Sequence, residues 1–523
     1  MTMAAGASAA PLLLHTPANP GESDPPTGQS LFDDLFKTEA GYALPFPFEK
    51  LVAAIENANA DNKVTGVLIP LGRSLQRLSA DPDYFTSPRV VIGVDTDSPD
   101  SVIALKDRLF IGYQAKSAVI EVVSYNDSVG RFEYQTVNDY DGTGQPVVDY
   151  AERSVCLECH QGHAPIFPKA LWRETNANPA VAERLGEARI VHGVPVNRGV
   201  DAPDALDRAT DRANRFALGQ FFWGRVCENM QPNCQADLLL AALRYRLGGA
   251  RRPWTAREDE ALGQRLQKAV IDLAPDGVAI ITPDLPDRNP LEAVEAGVTP
   301  VEAVESEGIF DPTQPRDPIM LVTPDPDAAD TLATAVAEIA RFISPAMVRD
   351  IGEALTSANT ATRVTFTAPC RINRYERSNG AREMRFVCRT LQEETSNLRL
   401  SGYIIEDNNG FVRGTLAELA PAEYTPVRGL KVAAAFRAGS TLSLTLAEQS
   451  YGLPARLASG EALSHLEIDL DDGNGQARIS VADDIVLLRK AVNAISASAL
   501  APPIRARALT ADLLAALSRQ GGS

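Results

Sequence analysis

The chain has 523 residues and a formal net charge of −18, and hydrophobic residues make up 45% of it, enough to bury sizeable cores. This length predicts about three domains, or two with embellishments. The negative charge disfavours binding to nucleic acid or anionic lipid and suits a macromolecular partner that carries a basic patch. No run of about eighteen apolar residues occurs, so the sequence predicts no transmembrane segment.

Residues 1–40 are predicted to form a flexible leader, because they are rich in proline, glycine and serine. Ala7-Ser8-Ala9 matches the small-residue pattern of a signal-peptide cleavage site. The residues before it contain neither a basic region nor a full apolar segment, so a signal peptide is not evident. One interpretation is that the sequence starts inside a longer signal peptide; a disordered tail with a chance match is the alternative.

Residues 41–358 are predicted to form a first domain of mixed character. Period-two alternation over residues 88–153, broken by turn residues, predicts an antiparallel β-meander. From Asn178 and Pro179, a good N-cap and first helical position, the pattern becomes helical. Residues 276–327 are rich in proline and aspartate and are predicted to be a long loop.

Residues 359–523 are predicted to form a second, β-rich domain. Strand-like runs recur there at 10- to 15-residue spacing, which is typical of an all-β sandwich or barrel. Two helices are predicted after them, at 484–497 and 503–519. The fold class is therefore α+β: an antiparallel meander and a helical region, then a β domain with C-terminal helices.

The most specific motif is Cys156-Leu157-Glu158-Cys159-His160, which directly follows the last predicted strand of the meander. C-x-x-C-H is the attachment motif of haem c. Two thiols three residues apart lie on one side of a helical turn, so both can add to the vinyl groups of one porphyrin. Cys156 and Cys159 are then the thioether positions, and His160 is the proximal iron ligand. The first domain, 41–358, is accordingly predicted to bind one covalent haem c.

A CxxC disulfide, a redox CxxC and a zinc site are the alternatives to haem. A thioredoxin-like CxxC needs a βαβ setting, which this context does not supply. The remaining cysteines pair naturally as Cys227–Cys234 and as Cys370–Cys388, which are equidistant from a predicted hairpin turn. A zinc site with four cysteines would have to use Cys227 and Cys234 as its second pair. Their spacing is wider than the two to four intervening residues usual in zinc sites, which makes this alternative weaker. The other possibility is that these four cysteines are reduced and buried.

The second axial position of the iron separates electron transfer from catalysis. Met230 is the first distal candidate, Met320 the second and His192 the third, and an iron with no second protein ligand is an equal contender. His163 follows His160 by three residues, so it is expected on the proximal side.

Several other residues are candidates for the haem environment. Arg73 and Arg77 are four apart and would share a helical face, from which they could bind haem propionates; a solvated surface is the alternative. Ile166, Phe167 and Trp172 are expected to pack on the porphyrin edge or in ordinary core. Glu174 is either a turn residue or an acid for peroxide cleavage.

The stretch GVLIPLGRSLQR…SPRVVIG…LFIGY…IEVVSYN…GRFEYQTVNDY…CLECHQGHAPIFP…LWRETNANP resembles an uncharacterised group of exported bacterial proteins with a single CxxCH. The resemblance covers roughly residues 60–190 and carries the motif over to Cys156, Cys159 and His160. More broadly the motif is similar to that of c-type cytochromes. The preceding strands depart from the small all-helical cytochrome c fold, and the second CxxCH of a dihaem peroxidase does not occur.

The sequence therefore predicts a single-haem c-type protein in redox chemistry, either electron transfer or a peroxidase- or oxygenase-like reaction at the iron. Haem attachment and disulfides both require an oxidising compartment, so we expect export to the periplasm or cell envelope. Whether the protein is an enzyme stays open; if so, it is a haem-dependent oxidoreductase. One alternative is an envelope interaction or sensor protein with a structural or ligand-sensing haem. The other is a haem-free protein with a CxxC disulfide or zinc.

Overall fold

The structure of the chain, a computed structural model, contains two units. Within the described part of the chain, unit 1 comprises residues 10–246 and 260–349, and unit 2 comprises residues 247–259 and 350–481. The division after residue 349 lies close to the predicted boundary after residue 358. The structure describes residues 10–14, 26, 28–58, 64–96, 104–230, 234–248, 254–305, 311–343, 348–351, 353, 364–378, 380–389, 398–406, 412–421, 430–438, 441–447, 466–469 and 474–481.

Unit 1 contains both strands and helices. The strands in chain order are β1 (Leu12–Leu13), β2 (Lys37–Thr38), β3 (Gly41–Tyr42), β4 (Thr65–Ile69), β5 (Arg89–Gly93), β6 (Leu109–Gln114), β7 (Val119–Asn126), β8 (Arg131–Asn138), β9 (Val147–Tyr150), β10 (Phe167–Pro168), β11 (Ile190–Val191), β12 (Val194–Pro195), β13 (Val278–Ile281), β14 (Asp284–Leu285) and β15 (Pro318–Val322).

The described helices begin with α1 (Leu31–Phe36), α2 (Phe48–Ala58), α3 (Arg153–Cys159), α4 (Pro179–Leu185), α5 (Asp201–Asn214) and α6 (Phe216–Gln220). They continue with a π-helix (Phe221–Val226), α7 (Cys234–Gly248), a 3₁₀-helix (Ala256–Asp259), α8 (Glu260–Leu273), α9 (Pro290–Glu295), α10 (Pro300–Glu305) and α11 (Ala328–Ala340). None of the described helices is both long and apolar enough to cross a membrane.

Strands β4–β9 form a six-stranded antiparallel sheet in which each strand pairs with the next along the chain. This confirms the predicted meander and adds β4 at its edge. Because side chains alternate between the faces of a strand, Val90, Ile92 and Ile120 point together into the main core, where each is at most 3% exposed. The opposite face is available for a site.

The helix predicted from Asn178 is confirmed as α4: the Asn178 side chain accepts a hydrogen bond from the Ala180 N–H, and Pro179 occupies the first turn. The long loop predicted at 276–327 is wrong in detail. It contains short elements, among them β13, which pairs with β1, and β14, which pairs with β10. Their partners lie far away in the sequence, so no local periodicity revealed them.

The prediction of a flexible leader over residues 1–40 is wrong for residues 10–14, where β1 pairs with β13, and for residues 28–40. Ser30 caps α1 by accepting a hydrogen bond from the Asp33 N–H. Leu31, Phe32 and Phe36 are buried in the main core. The free energy gained by burying these three apolar side chains stabilises an ordered helix here, although the residues before it have the composition of a loop.

Unit 2 carries the β-rich region. Its strands are β16 (Val364–Glu376), β17 (Arg382–Arg389), β18 (Leu398–Glu406), β19 (Val412–Pro421), β20 (Leu430–Ala438), β21 (Thr441–Ala447), β22 (Leu466–Asp469) and β23 (Asn474–Val481). Successive strands pair antiparallel, and β23 also pairs with β16. The predicted helices at 484–497 and 503–519 lie outside the described residues. The chain is mixed helix and sheet with several antiparallel sheets, which is compatible with the predicted α+β class.

Candidate functional site

The CxxCH motif lies where the meander ends and the helical part of unit 1 begins. Cys156 and Cys159 are on α3, the first helix after β9, and His160 is its C-cap residue. Three-residue spacing places both thiols on one side of this short helix. The C-terminus of α3 is held by Arg316, whose Nη2 donates a hydrogen bond of 2.8 Å to the Cys159 carbonyl.

The His160 imidazole is oriented by a backbone carbonyl. Its Nδ1 lies 2.9 Å from the Ala164 oxygen, so Nδ1 carries the proton and Nε2 is the lone-pair nitrogen. Burial lowers the pKa of His160 to about 4; the hydrogen bond to Ala164 opposes this shift, and the positive charges of Arg316 and Arg89 reinforce it. A neutral imidazole with Nδ1–H bonded to a carbonyl is the usual state of a metal-ligating histidine.

Cys156, Cys159 and His160 all line one cavity of about 500 Å³ in unit 1. This volume is within the range of small-molecule and cofactor sites, about 300–1,000 Å³. The other walls come from the open face of the sheet, from residues 72–77 and 165–168, and from short segments near residues 285–313. The structure therefore brings both thiols and the imidazole to a single cavity.

The sheet forms one wall of the cavity through a row of paired residues. Val91 pairs with Gly112, Gly112 with Glu121 and Glu121 with Thr136, and all four line the cavity. Arg89 lies across Gly112 and its Nη2 donates to Glu121 Oε2 at 2.5 Å. A Cβ atom at position 112 would come within 2.0 Å of Arg89 Nη2, so glycine is what lets the guanidinium cross the strand.

Tyr134 carries a buried hydroxyl in the same wall. Its side chain is 5% exposed, and the hydroxyl has no hydrogen-bond partner among the described residues. The ring centroid lies 5.1 Å from that of His160. The Arg153 guanidinium lies 5.4 Å from the same centroid. A buried hydroxyl normally has a partner, so this one is suited to a ligand in the cavity.

Three charged side chains meet in another wall. Arg73 Nη2 and Arg288 Nε each lie 2.7 Å from the same oxygen, Oε1 of Glu174. Arg288 also donates to the Leu71 carbonyl at 2.5 Å. We call Arg73, Glu174 and Arg288 the arginine cluster. Burial raises the pKa of the Glu174 carboxyl, and the two guanidiniums oppose that shift.

The remaining predicted haem neighbours separate into two groups. Ile166 and Phe167 line the cavity, and so does the exposed Arg77. Trp172 does not line it; this side chain packs in a small apolar cluster that includes Phe167 and Val67. Arg73 and Arg77 do not share a helical face as predicted, because no helix forms between β4 and β5 in the described chain.

The predicted distal ligands are not brought to the cavity. Met230 lies between the two cysteines of the Cys227–Cys234 disulfide, with its Sδ 3.5 Å from Cys234 Sγ, and does not line the cavity. Met320 is on β15 and 44% exposed. His192 packs against Tyr113, with ring centroids 5.0 Å apart, and its Nδ1 lies 3.5 Å from Glu49. His163 also lies outside the cavity lining.

Both predicted disulfides are present: Cys227–Cys234 and Cys370–Cys388. This excludes a zinc site built from Cys227 and Cys234 together with the motif. Cys156 and Cys159 are not disulfide-bonded. Burial raises the pKa of the Cys159 thiol, whereas redox CxxC motifs have lowered thiol pKa values.

Sequence reasoning missed Arg89, Tyr134, Arg288 and Arg316. Arg89 could have been found from the alternation of β5, because it occupies the strand face that points away from Val90 and Ile92. Alternation does not mark Tyr134, because the first five residues of β8 are all buried. Arg288 and Arg316 lie among proline- and aspartate-rich segments, where no periodicity marks them.

Comparison with known proteins adds no relative. No family model, no curated protein and no solved structure matches this chain. The site must therefore be interpreted from its own chemistry.

Proposed function

We propose that Cys156 and Cys159 attach one haem c in the cavity of unit 1, with His160 as its axial ligand, so that α3 and the segment after it form a haem-binding region. The observation that carries this proposal is the convergence of both thiols and the His160 ring on one cavity. The Nδ1–H of His160 bonds Ala164, which leaves Nε2 for a metal. Haem c would supply one-electron redox chemistry and, with an open axial position, reactions of oxygen or peroxide.

The other residues of the cavity fit such a group. Hydrocarbon side chains such as Val91 and Phe167 offer apolar contact, and the Tyr134 hydroxyl offers a donor that needs an acceptor. The arginine cluster offers guanidiniums at which a carboxylate can bind. This mixture of apolar walls and a few converging polar groups is typical of cofactor sites.

We further propose that the protein is a haem-dependent oxidoreductase. In the described lining His160 is the one imidazole and no methionine occurs, whereas a phenol, guanidiniums and carboxylates are present. Such groups bind and orient a polar reactant, or hold and move its protons.

We also propose export to the periplasm or cell envelope, because the two disulfides need an oxidising compartment. A redox partner protein would present a basic surface to this chain of net charge −18.

The test is export of the full chain in cells that mature c-type cytochromes, followed by denaturing electrophoresis with haem staining. Wild-type protein should retain haem covalently, and Cys156→Ala with Cys159→Ala should retain none. Cys370→Ala with Cys388→Ala is the matched control and should keep it. Absorption spectra of oxidised and reduced protein then report spin state. A wild-type protein without covalent haem contradicts the proposal, and a low-spin iron with two strong-field ligands contradicts the oxidoreductase assignment.

A further inference from the structure

Arg316 joins the motif to a segment that forms part of the cavity wall. Residues 311–313 of this segment line the cavity, whereas Arg316 itself does not. Its guanidinium donates hydrogen bonds to three backbone carbonyls: Nη2 to Cys159 at 2.8 Å, Nε to Thr282 at 2.9 Å and Nη1 to Pro312 at 2.9 Å. Because these acceptors belong to three separate segments, they fix the rigid guanidinium at the end of α3.

Gln161 forms a second bridge between the motif and this segment. Its Nε2 donates a hydrogen bond of 2.8 Å to the Gln314 carbonyl, and its Oε1 accepts one of 3.1 Å from the Arg316 backbone N–H. The motif and residues 311–316 are therefore joined by one charged side chain and by one neutral side chain. This difference allows the effect of the charge to be separated from the effect of the contacts.

The positive charge of Arg316 acts on the ring of the proposed axial ligand, as does the charge of Arg89. The two cations differ in their partners. Arg89 is paired with Glu121, whereas the hydrogen bonds of Arg316 go to neutral acceptors. Asp284 also acts on Arg316 at longer range. The sign of the effect does not depend on Asp284, because removing Arg316 takes away one positive charge and leaves every carboxylate in place.

We propose that Arg316 is a positioning residue of the haem site: it holds a fixed positive charge next to the axial ligand and so raises the reduction potential of the iron. This inference rests on the proposed function. Because oxidised iron carries one more positive charge than reduced iron, a cation held near its ligand disfavours the oxidised form. Arg316 lies outside the cavity lining, so it acts through the electric field at His160 rather than by contact with a bound group.

The test is a potentiometric titration of the full exported, haem-loaded chain, with dithionite as reductant, ferricyanide as oxidant and absorption as the readout. Arg316→Gln should lower the reduction potential. The reduction equilibrium constant should change roughly tenfold, which is about 59 mV for a one-electron couple, as expected for loss of one nearby unit charge. Arg316→Lys keeps the charge without the planar fork and should shift the potential much less. Arg316→Met is the second neutral variant in case Arg316→Gln does not fold.

Two controls separate the charge from the contacts. Gln161→Ala removes the neutral bridge and leaves Arg316 charged, so it should keep the wild-type potential. Arg265→Gln removes an exposed charge on α8, outside the cavity lining, and should also keep it. If haem-loaded Arg316→Gln keeps the wild-type potential, or if Gln161→Ala lowers it equally, the inference is overturned while the proposed function stands. Absence of haem staining in the wild type overturns the proposed function, and the inference with it.

Discussion

Tyr134→Phe should change the stability of this protein in opposite directions with and without haem. The substitution keeps the ring next to His160 and Arg153 and removes only a hydroxyl that has no partner among the described residues. An unsatisfied buried polar group costs about 1–3 kcal/mol, so in haem-free protein the variant should be more stable by about 1 kcal/mol. With the cavity occupied, the hydroxyl gains an acceptor, and its loss should cost about 1 kcal/mol.

The assay is urea unfolding of Tyr134→Phe in two backgrounds: the haem-loaded chain and the chain with Cys156→Ala and Cys159→Ala. Tyr125→Phe is the control, because Tyr125 is an equally buried phenol whose oxygen accepts a hydrogen bond of 2.8 Å from Gln220. Its loss should cost about 1 kcal/mol in both backgrounds. If Tyr134→Phe destabilises the haem-free chain as much as Tyr125→Phe does, the hydroxyl already has a partner and the reasoning fails.

Three further predictions concern the surroundings of the site and unit 2. Burial raises the pKa of the Asp207 carboxyl to about 6, although the positive charge of Lys169 opposes this shift. Between about pH 4 and 6, Asp207 is therefore protonated in the folded state and ionised in the unfolded state. The free energy of unfolding should therefore fall as pH rises through this window, by about 1 kcal/mol after allowance for solvent screening, and Asp207→Asn should flatten the profile in urea titrations. Cys370→Ala with Cys388→Ala opens a loop with a sequence separation of 18 and should cost about 3 kcal/mol, and a loss well under about 1 kcal/mol in guanidinium unfolding would contradict this. Asn214→Ala removes two side-chain hydrogen bonds of 2.8 Å to backbone carbonyls, one of them in the segment after the motif. It should cost about 1–3 kcal/mol, measured in the same way, and an unchanged midpoint would show that water replaces the amide.

Local patterns predicted the parts of the site that depend on neighbours in sequence. The spacing of Cys156, Cys159 and His160 is that of a helical turn, and α3 places both thiols at one cavity. Counting outward from a turn predicted the Cys370–Cys388 pair, and the register of β16 and β17 places these two residues opposite one another. In both cases one short segment carries all the necessary information.

Contacts between distant segments could not be predicted in this way. The arginine cluster joins Arg73, Glu174 and Arg288, each from a different segment between regular elements, and only the folded chain brings them together. A lone methionine has no pattern at all, which is why Met230 was a plausible distal ligand in the sequence and lies beside a disulfide in the structure. The region predicted to be a long loop contains β13 and β14, which pair with β1 and β10. These pairings could not be predicted either, because the partner strands are distant in the sequence.

The six-stranded sheet links the core to the site through its register. Ile92 and Ile120 point into the core, while Val91 and Glu121, one position away, face the cavity. A shift of one residue in pairing would exchange these two sets, so burial of the apolar face also fixes the cavity wall. Substitutions on the cavity face, such as those at Glu121 or Tyr134, leave the apolar set of the opposite face in place. The chemistry of this cavity can therefore be varied separately from the packing that holds its walls.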